Sequence, residues 1–178
     1  MIRFFFPALV LVLSTTVAHA QKPVKVVQPK TEFNTKTAVE MLDGGNSTIK
    51  GIVYYEGRTL IGIKSEATVY ARIGAIISLY PVTPYLEEYL QLKQKNKEGK
   101  QIATINPLAA SFRIETKIIS EQGEFIIGGL KPGKYYLLGD ITFPAGIGAK
   151  EVSNIIEIKK DGEVVNCKLN KIYRGFIY

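Results

Sequence analysis

Residues 123–140, Gly-Glu-Phe-Ile-Ile-Gly-Gly-Leu-Lys-Pro-Gly-Lys-Tyr-Tyr-Leu-Leu-Gly-Asp, constrain the fold more than any other stretch. Two short apolar runs, Phe125-Ile126-Ile127 and Tyr135-Tyr136-Leu137-Leu138, flank Leu130-Lys131-Pro132-Gly133. Pro132 sets φ near about −65° at the second position of a turn, and Gly133 supplies the positive φ that a type II turn requires next. The flanking residues are aromatic and β-branched, as pleated strands prefer. The stretch predicts strand, turn, strand.

The same grammar recurs along the chain. Residues 48–55 read as a first strand, with Ile49, Gly51, Val53 and Tyr55 on one face and Lys50 on the other. Gly57 breaks the pattern, and residues 59–67 read as a loop or irregular edge. Residues 69–82 are mostly apolar and predict one or two central strands with a break near Gly74. Residues 112–119 alternate: Phe112, Ile114, Thr116 and Ile118 face one way, and Arg113, Glu115 and Lys117 the other. Residues 155–159 and 163–169 predict a hairpin across Asp161-Gly162. Short strands between turn residues define the expected fold class, all-β, as an antiparallel β-sandwich over residues 47–178.

One α-helix is expected as an insertion at about residues 84–98. Thr83 caps it, Pro84 suits the first helical position, and Glu87 and Glu88 lie where the helix dipole favours negative charge. Lys93, Lys95, Lys97 and Lys100 cluster toward its other end. Tyr85, Tyr89 and Leu92 share one face, widened by Leu86 and Leu90. That face must either pack on the sandwich or receive a partner, which makes these three the candidate partner-binding residues. Residues 21–46 read as a leader, with a short helix near 37–43 ended by Gly44-Gly45-Asn46.

The Gly-x-Phe-x-x-x-Gly-Leu-x-Pro-Gly-x-Tyr pattern of Gly123, Phe125, Gly129, Leu130, Pro132, Gly133 and Tyr135 resembles the signature of carboxypeptidase-regulatory-like domains. Those domains are prealbumin-like (transthyretin-type) β-sandwiches. Gly51-Ile52-Val53 is similar to the family's first strand, and Ala75-Ile76-Ile77-Ser78-Leu79-Tyr80-Pro81 to its second, with residues 84–110 as an insertion. The resemblance implies a fold. It implies little about function, because such folds host many unrelated roles.

Residues 1–20 have the form of a cleaved signal peptide. Arg3 gives a positive start, residues 4–13 are the apolar centre, and Ala18-His19-Ala20 offers a cleavage site before Gln21. A periplasmic or secreted protein is expected, with no integral membrane segment after cleavage. The full sequence carries a formal charge of +7, spread along the chain. That balance favours anionic partners only as a field effect, and no motif points to nucleic acid. His19 is the only histidine, so the mature chain lacks the usual general base and the commonest metal ligand. Cys167 is the only cysteine, which rules out an intramolecular disulfide.

The remaining candidates for chemistry have plainer readings beside them. Glu87 and Glu88 point about 100° apart on a helix, and dipole complementation accounts for them. Gly146-Ile147-Gly148 imitates a phosphate loop but no helix pattern follows it. Cys167 lies in register with Val165 and Leu169, as a buried thiol would. Tyr173-Arg174-Gly175 resembles the terminal motif of transthyretin-like hydroxyisourate hydrolases, yet Phe176 replaces their final Ser and their histidines are missing. Asn46-Ser47-Thr48 fits a glycosylation sequon or an ordinary polar loop. Tyr54, Tyr70, Tyr80 and Tyr136 alternate with apolar neighbours and could stack on sugars or peptides if exposed.

These readings lead to the expectation of no enzyme and no cofactor. They describe an exported β-sandwich that binds or scaffolds a macromolecule, with a protein or glycan partner in the cell envelope. The alternatives are a carbohydrate-binding module, and an inhibitor or immunity protein against an exported enzyme.

Overall fold

A computed structural model describes residues 23–58, 64–142 and 148–174. The expected signal peptide therefore lies outside the described residues, as do most of the 144–148 loop and the Tyr-Arg-Gly motif beyond Arg174. Ten strands and three helices follow in order. They are β1 (Lys25–Val27), α1 (Thr35–Leu42), β2 (Ser47–Arg58), β3 (Lys64–Tyr70), β4 (Ile76–Pro81), α2 (Pro84–Gln94), β5 (Gln101–Ala103), α3 (Pro107–Ser111), β6 (Ile114–Lys117), β7 (Glu124–Leu130), β8 (Gly133–Thr142), β9 (Ala149–Ile158) and β10 (Val164–Arg174).

Two four-stranded sheets face each other, as expected of the sandwich. The first is organised on β2. One edge of β2 pairs with β10 along its length, while the other pairs with β7 over its first half and β3 over its second. At the changeover, the Val53 N–H donates to Gly123 O at 2.8 Å, and Val53 O accepts from the Ala71 N–H at 3.0 Å. No backbone group of Val53 is left unpaired where its partner strand changes. The second sheet runs β6-β4-β8-β9 and is antiparallel throughout.

Alternation decides what each sheet buries. Ile49, Val53, Phe125, Ile127 and Leu169 point inward from the first sheet, and Ile77, Leu79, Tyr135, Leu137, Ile141, Val152 and Ile158 from the second. Gly51 also lies on that inner face, where a Cβ would run into the Phe125 ring and come within 2.9 Å of Cys167 Sγ. The motif residues Phe125, Leu130 and Tyr135 are all in this core. The Tyr135 hydroxyl is shared between Met41 O at 2.9 Å and Lys131 O at 2.8 Å, which fastens α1 to the turn before β8. Burial pushes the Tyr135 phenol above its ordinary pKa.

Five sequence expectations are corrected. The hairpin across Asp161-Gly162 is an arch: β9 stays in the second sheet and β10 crosses to pair in parallel with β2. Glu163 Oε2 accepts from the N–H groups of Lys159 and Lys160 at 2.7 and 3.2 Å. On the other side, Asp161 takes the backbone N–H and side-chain amide of Asn46 at 3.2 and 2.7 Å, and the Thr48 N–H donates to Glu163 O at 2.9 Å. The turn thus hands β10 to β2. Second, part of the expected loop at 59–67 belongs to β3, which begins at Lys64 and pairs with β2 through a bulge near Glu56. Third, the leader carries β1, which pairs in parallel with β5 of the insertion. Fourth, α2 ends at Gln94, where Lys95 closes it with a hydrogen bond to Leu92 O. Fifth, Gly133 has φ 155°, far from the roughly +80° of a type II turn. It opens β8, and a Cβ there would meet Met41 Cε at 3.0 Å.

Candidate functional site

The inserted helix takes the packed arrangement. Thr83 Oγ1 accepts from the Leu86 N–H at 3.4 Å, and Pro84 occupies the first turn. Tyr85 and Leu86 are buried, while Tyr89 and Leu92 are half-buried. The Tyr85 ring meets Phe33 of the leader edge-on at 5.6 Å, and its hydroxyl accepts from the Asn106 N–H at 2.7 Å. Lys93 donates to Glu151 Oε1 at 2.7 Å and to the Tyr136 hydroxyl at 3.3 Å, so α2 lies over the outer face of the second sheet. Burial presses the Lys93 pKa down, but the hydrogen bond to Glu151 and the nearby Tyr136 outweigh it and leave it raised. Burial likewise raises Tyr89. Tyr80 and Tyr136, 6.4 Å apart, lie in the same sheet, and Tyr136 is buried.

Glu87 and Glu88 serve different ends. Glu88 Oε1 and Oε2 accept from the N–H groups of Lys30 and Thr31 at 3.0 and 2.8 Å. Those bonds lower its pKa to about 2 and tie the leader to the helix. Asn46 and Ser47 are also committed: the Asn46 amide is held by Asp161, and Ser47 is fully buried and donates to Lys160 O. Glycosylation at the sequon would require this corner to open. Burial pushes the Cys167 thiol up to about 11, so it stays protonated. Among the described residues, no three His, Cys, Asp or Glu side chains are grouped as metal ligands, and no helix is long and apolar enough to cross a membrane.

The outer face of the first sheet is different, because no helix covers it among the described residues. Three rows of outward positions lie at its centre. Ile126, Lys50 and Asn166 form the first row across β7, β2 and β10. Glu124, Ile52 and Lys168 form the second. Tyr70, Tyr54 and Asn170 form the third, where β3 has replaced β7. At ordinary strand spacing this grid measures roughly 10 Å by 13 Å. The first two rows and Asn170 border an open hollow of about 850 Å³, with Asn154 and Ile156 of β9 at its edge.

The Tyr54 and Tyr70 rings lie 6.0 Å apart and are tilted by 51°, and Tyr70 is exposed. Ile126 is also exposed, at 46%. Asn154 turns its amide to Lys168 O at 3.4 Å, which closes the gap between β9 and β10. By contrast, the side-chain heads of Lys50, Glu124, Asn166, Lys168 and Asn170 have no hydrogen-bond partner among the described residues. The face therefore combines aromatic surface with a set of free donors and acceptors. That is the composition of a recognition surface, in which apolar contact supplies area and a few polar groups fix orientation.

Sequence reasoning singled out Tyr54 and Tyr70 but not the polar groups beside them. Alternation shows that Lys50, Asn166, Lys168 and Asn170 point away from the core. It does not show that β10 lies beside β2, and the expected hairpin placed β10 elsewhere.

No protein-family model matches the chain, and no curated protein matches its sequence. Among solved structures, a candidate carbohydrate-binding protein from Pseudomonas aeruginosa superposes with a TM-score of 0.57 at 16% identity, over 79% of this chain and 99% of that one. The likeness establishes a shared β-sandwich fold. The group B streptococcus pilus 2b backbone protein covers 74% of this chain and 42% of that one, at 18% identity and a TM-score of 0.36. A superposition that loose carries no argument.

Proposed function

We propose that the protein is an exported, non-catalytic glycan-binding β-sandwich whose binding face is the uncovered outer side of the β10-β2-β3/β7 sheet. The observation that carries this reading is the third row: two contacting tyrosines, one of them exposed, beside Asn170 and next to Lys168 and Glu124. A tyrosine offers a rigid apolar plane with a polar tip, which suits the mixed apolar and hydroxylated faces of a sugar ring. Asn, Lys and Glu heads supply the donors and acceptors that sugar hydroxyls need. The Pseudomonas protein of similar fold lends support through its carbohydrate-binding description.

The non-catalytic part rests on chemistry. His19 is the only histidine, and Cys167 is held protonated by burial. Export rests on residues 1–20, and the periplasm or the cell surface is the proposed location. Membership of the carboxypeptidase-regulatory-like class is proposed from the motif, whose Phe125, Leu130 and Tyr135 supply core residues.

Affinity electrophoresis through gels containing dissolved polysaccharides tests the reading. The protein is expected to be retarded by at least one polymer, and Tyr54→Ala and Tyr70→Ala are each expected to weaken that retention about fivefold. That is the scale of one aromatic contact of about 1 kcal/mol. Migration unchanged by any polymer in a broad panel would refute it.

A further inference from the structure

We infer that the glycan taken by this face is a uronic-acid polysaccharide, with a sugar carboxylate seated between Lys50 and Lys168. The inference rests on the glycan reading above and adds the charge of the ligand. Lys50 and Lys168 are diagonal neighbours across β2 and β10: Asn166 stands opposite Lys50, and Lys168 stands opposite Ile52. Diagonal side chains on adjacent strands lie within reach of a common small group. Asn166 adjoins both lysines and has an amide to offer the same anion. Each lysine is exposed, and neither has a carboxylate within ion-pairing distance among the described residues. Glu124 stands opposite Ile52, diagonal to Lys50 on β7 and two strands from Lys168. The positive charge thus lies on β2 and β10, with Glu124 bordering it on the β7 side.

The local charge balance selects a carboxylate over a sulfate ester. The three rows hold Lys50, Lys168 and Glu124, a net charge of a single positive unit. A densely sulfated chain would meet that carboxylate at close range, whereas a polymer with one weakly charged group per sugar need not. The hydroxyl-rich remainder of the chain then extends along β2 toward Tyr54, Tyr70 and Asn170.

The test compares polygalacturonate, alginate and hyaluronate with their carboxyl-reduced counterparts, which keep the polymer and remove the charge. Dextran sulfate and neutral dextran serve as references. Titration calorimetry of the wild type is expected to show binding to at least one uronate polymer, with affinity about tenfold lower for its reduced form. The same affinity should fall as salt rises from about 0.05 M to about 0.5 M. The double variant Lys50→Gln/Lys168→Gln is expected to bind the uronate polymer about as weakly as the wild type binds the reduced one, with its melting temperature unchanged. Equal affinity for acidic and reduced polymers, or a double variant that binds as the wild type does, would overturn the inference and leave the glycan reading standing. Tighter binding of dextran sulfate would overturn the choice of carboxylate. Binding to none of the polymers would remove the glycan reading and this inference together.

Discussion

Gly51 shows how closely the sequence and the proposed binding face are linked. The missing side chain lets the Phe125 ring lie across β2, and Gly51 also borders the hollow. Gly51→Val is therefore expected to destabilise the protein by about 1–3 kcal/mol, as overpacking does. Gly128→Ala meets only Thr48 Oγ1, at 3.7 Å, and should stay within about ±0.5 kcal/mol. Urea midpoints of the two variants check this. Leu137→Ala, fully buried in β8, should cost about 2–5 kcal/mol. At this scale the sequence was most readable, since Phe125, Leu130 and Tyr135 announce themselves by residue type and spacing. Gly133 was less so: its glycine was plain, but its φ of 155° belongs to the start of β8, and the Met41 methyl that a Cβ would meet is distant in sequence.

Elements divided according to whether their cause was local. The α2 helix was legible because its cap, its proline and its charged ends all lie within its own sequence. The β9–β10 arch was not, because Asp161-Gly162 turns a chain equally well into a hairpin or between sheets. The decision falls to Asn46 and Thr48, more than a hundred residues earlier in the chain. Asp161 is held below its ordinary pKa first by the Asn46 side chain and then by its backbone N–H. A depressed carboxylate contributes stability above its unfolded pKa and loses that contribution as pH falls through the folded value. Asp161→Ala is thus expected to lower the melting temperature at pH 7 and to reduce the difference from wild type toward strong acid, as scanning calorimetry would show. Glu88 follows the same sign between its ordinary 4.5 and about 2. Protection of the Lys30 and Thr31 amides, taken as the ratio of intrinsic to observed exchange rate, should persist at pH 5 and be lost in that window. Glu88→Ala should remove it already at pH 5, and unchanged protection would mean the leader is held by other contacts.

For the whole molecule, the two sides of the sandwich have different fates. Among the described residues, α2 and Phe33 help to cover the second sheet, while the outer face of the first is left open. The sequence showed an excess of basic charge and a scatter of tyrosines, but neither has a position until the parallel pairing of β10 with β2 is known. The candidate partner residues Tyr85, Tyr89 and Leu92 are on α2, over the second sheet, where they are buried or half-buried. The most direct measurement is amide chemical-shift mapping of the 15N-labelled protein titrated with fragments of the polysaccharide that retards it. Saturable shifts are expected at Lys50, Ile52, Tyr54, Tyr70, Asn166, Lys168 and Asn170, with α2 and β5 unmoved. Shifts centred on α2, or spread without saturation over both sheets, would contradict the assignment of binding to this face.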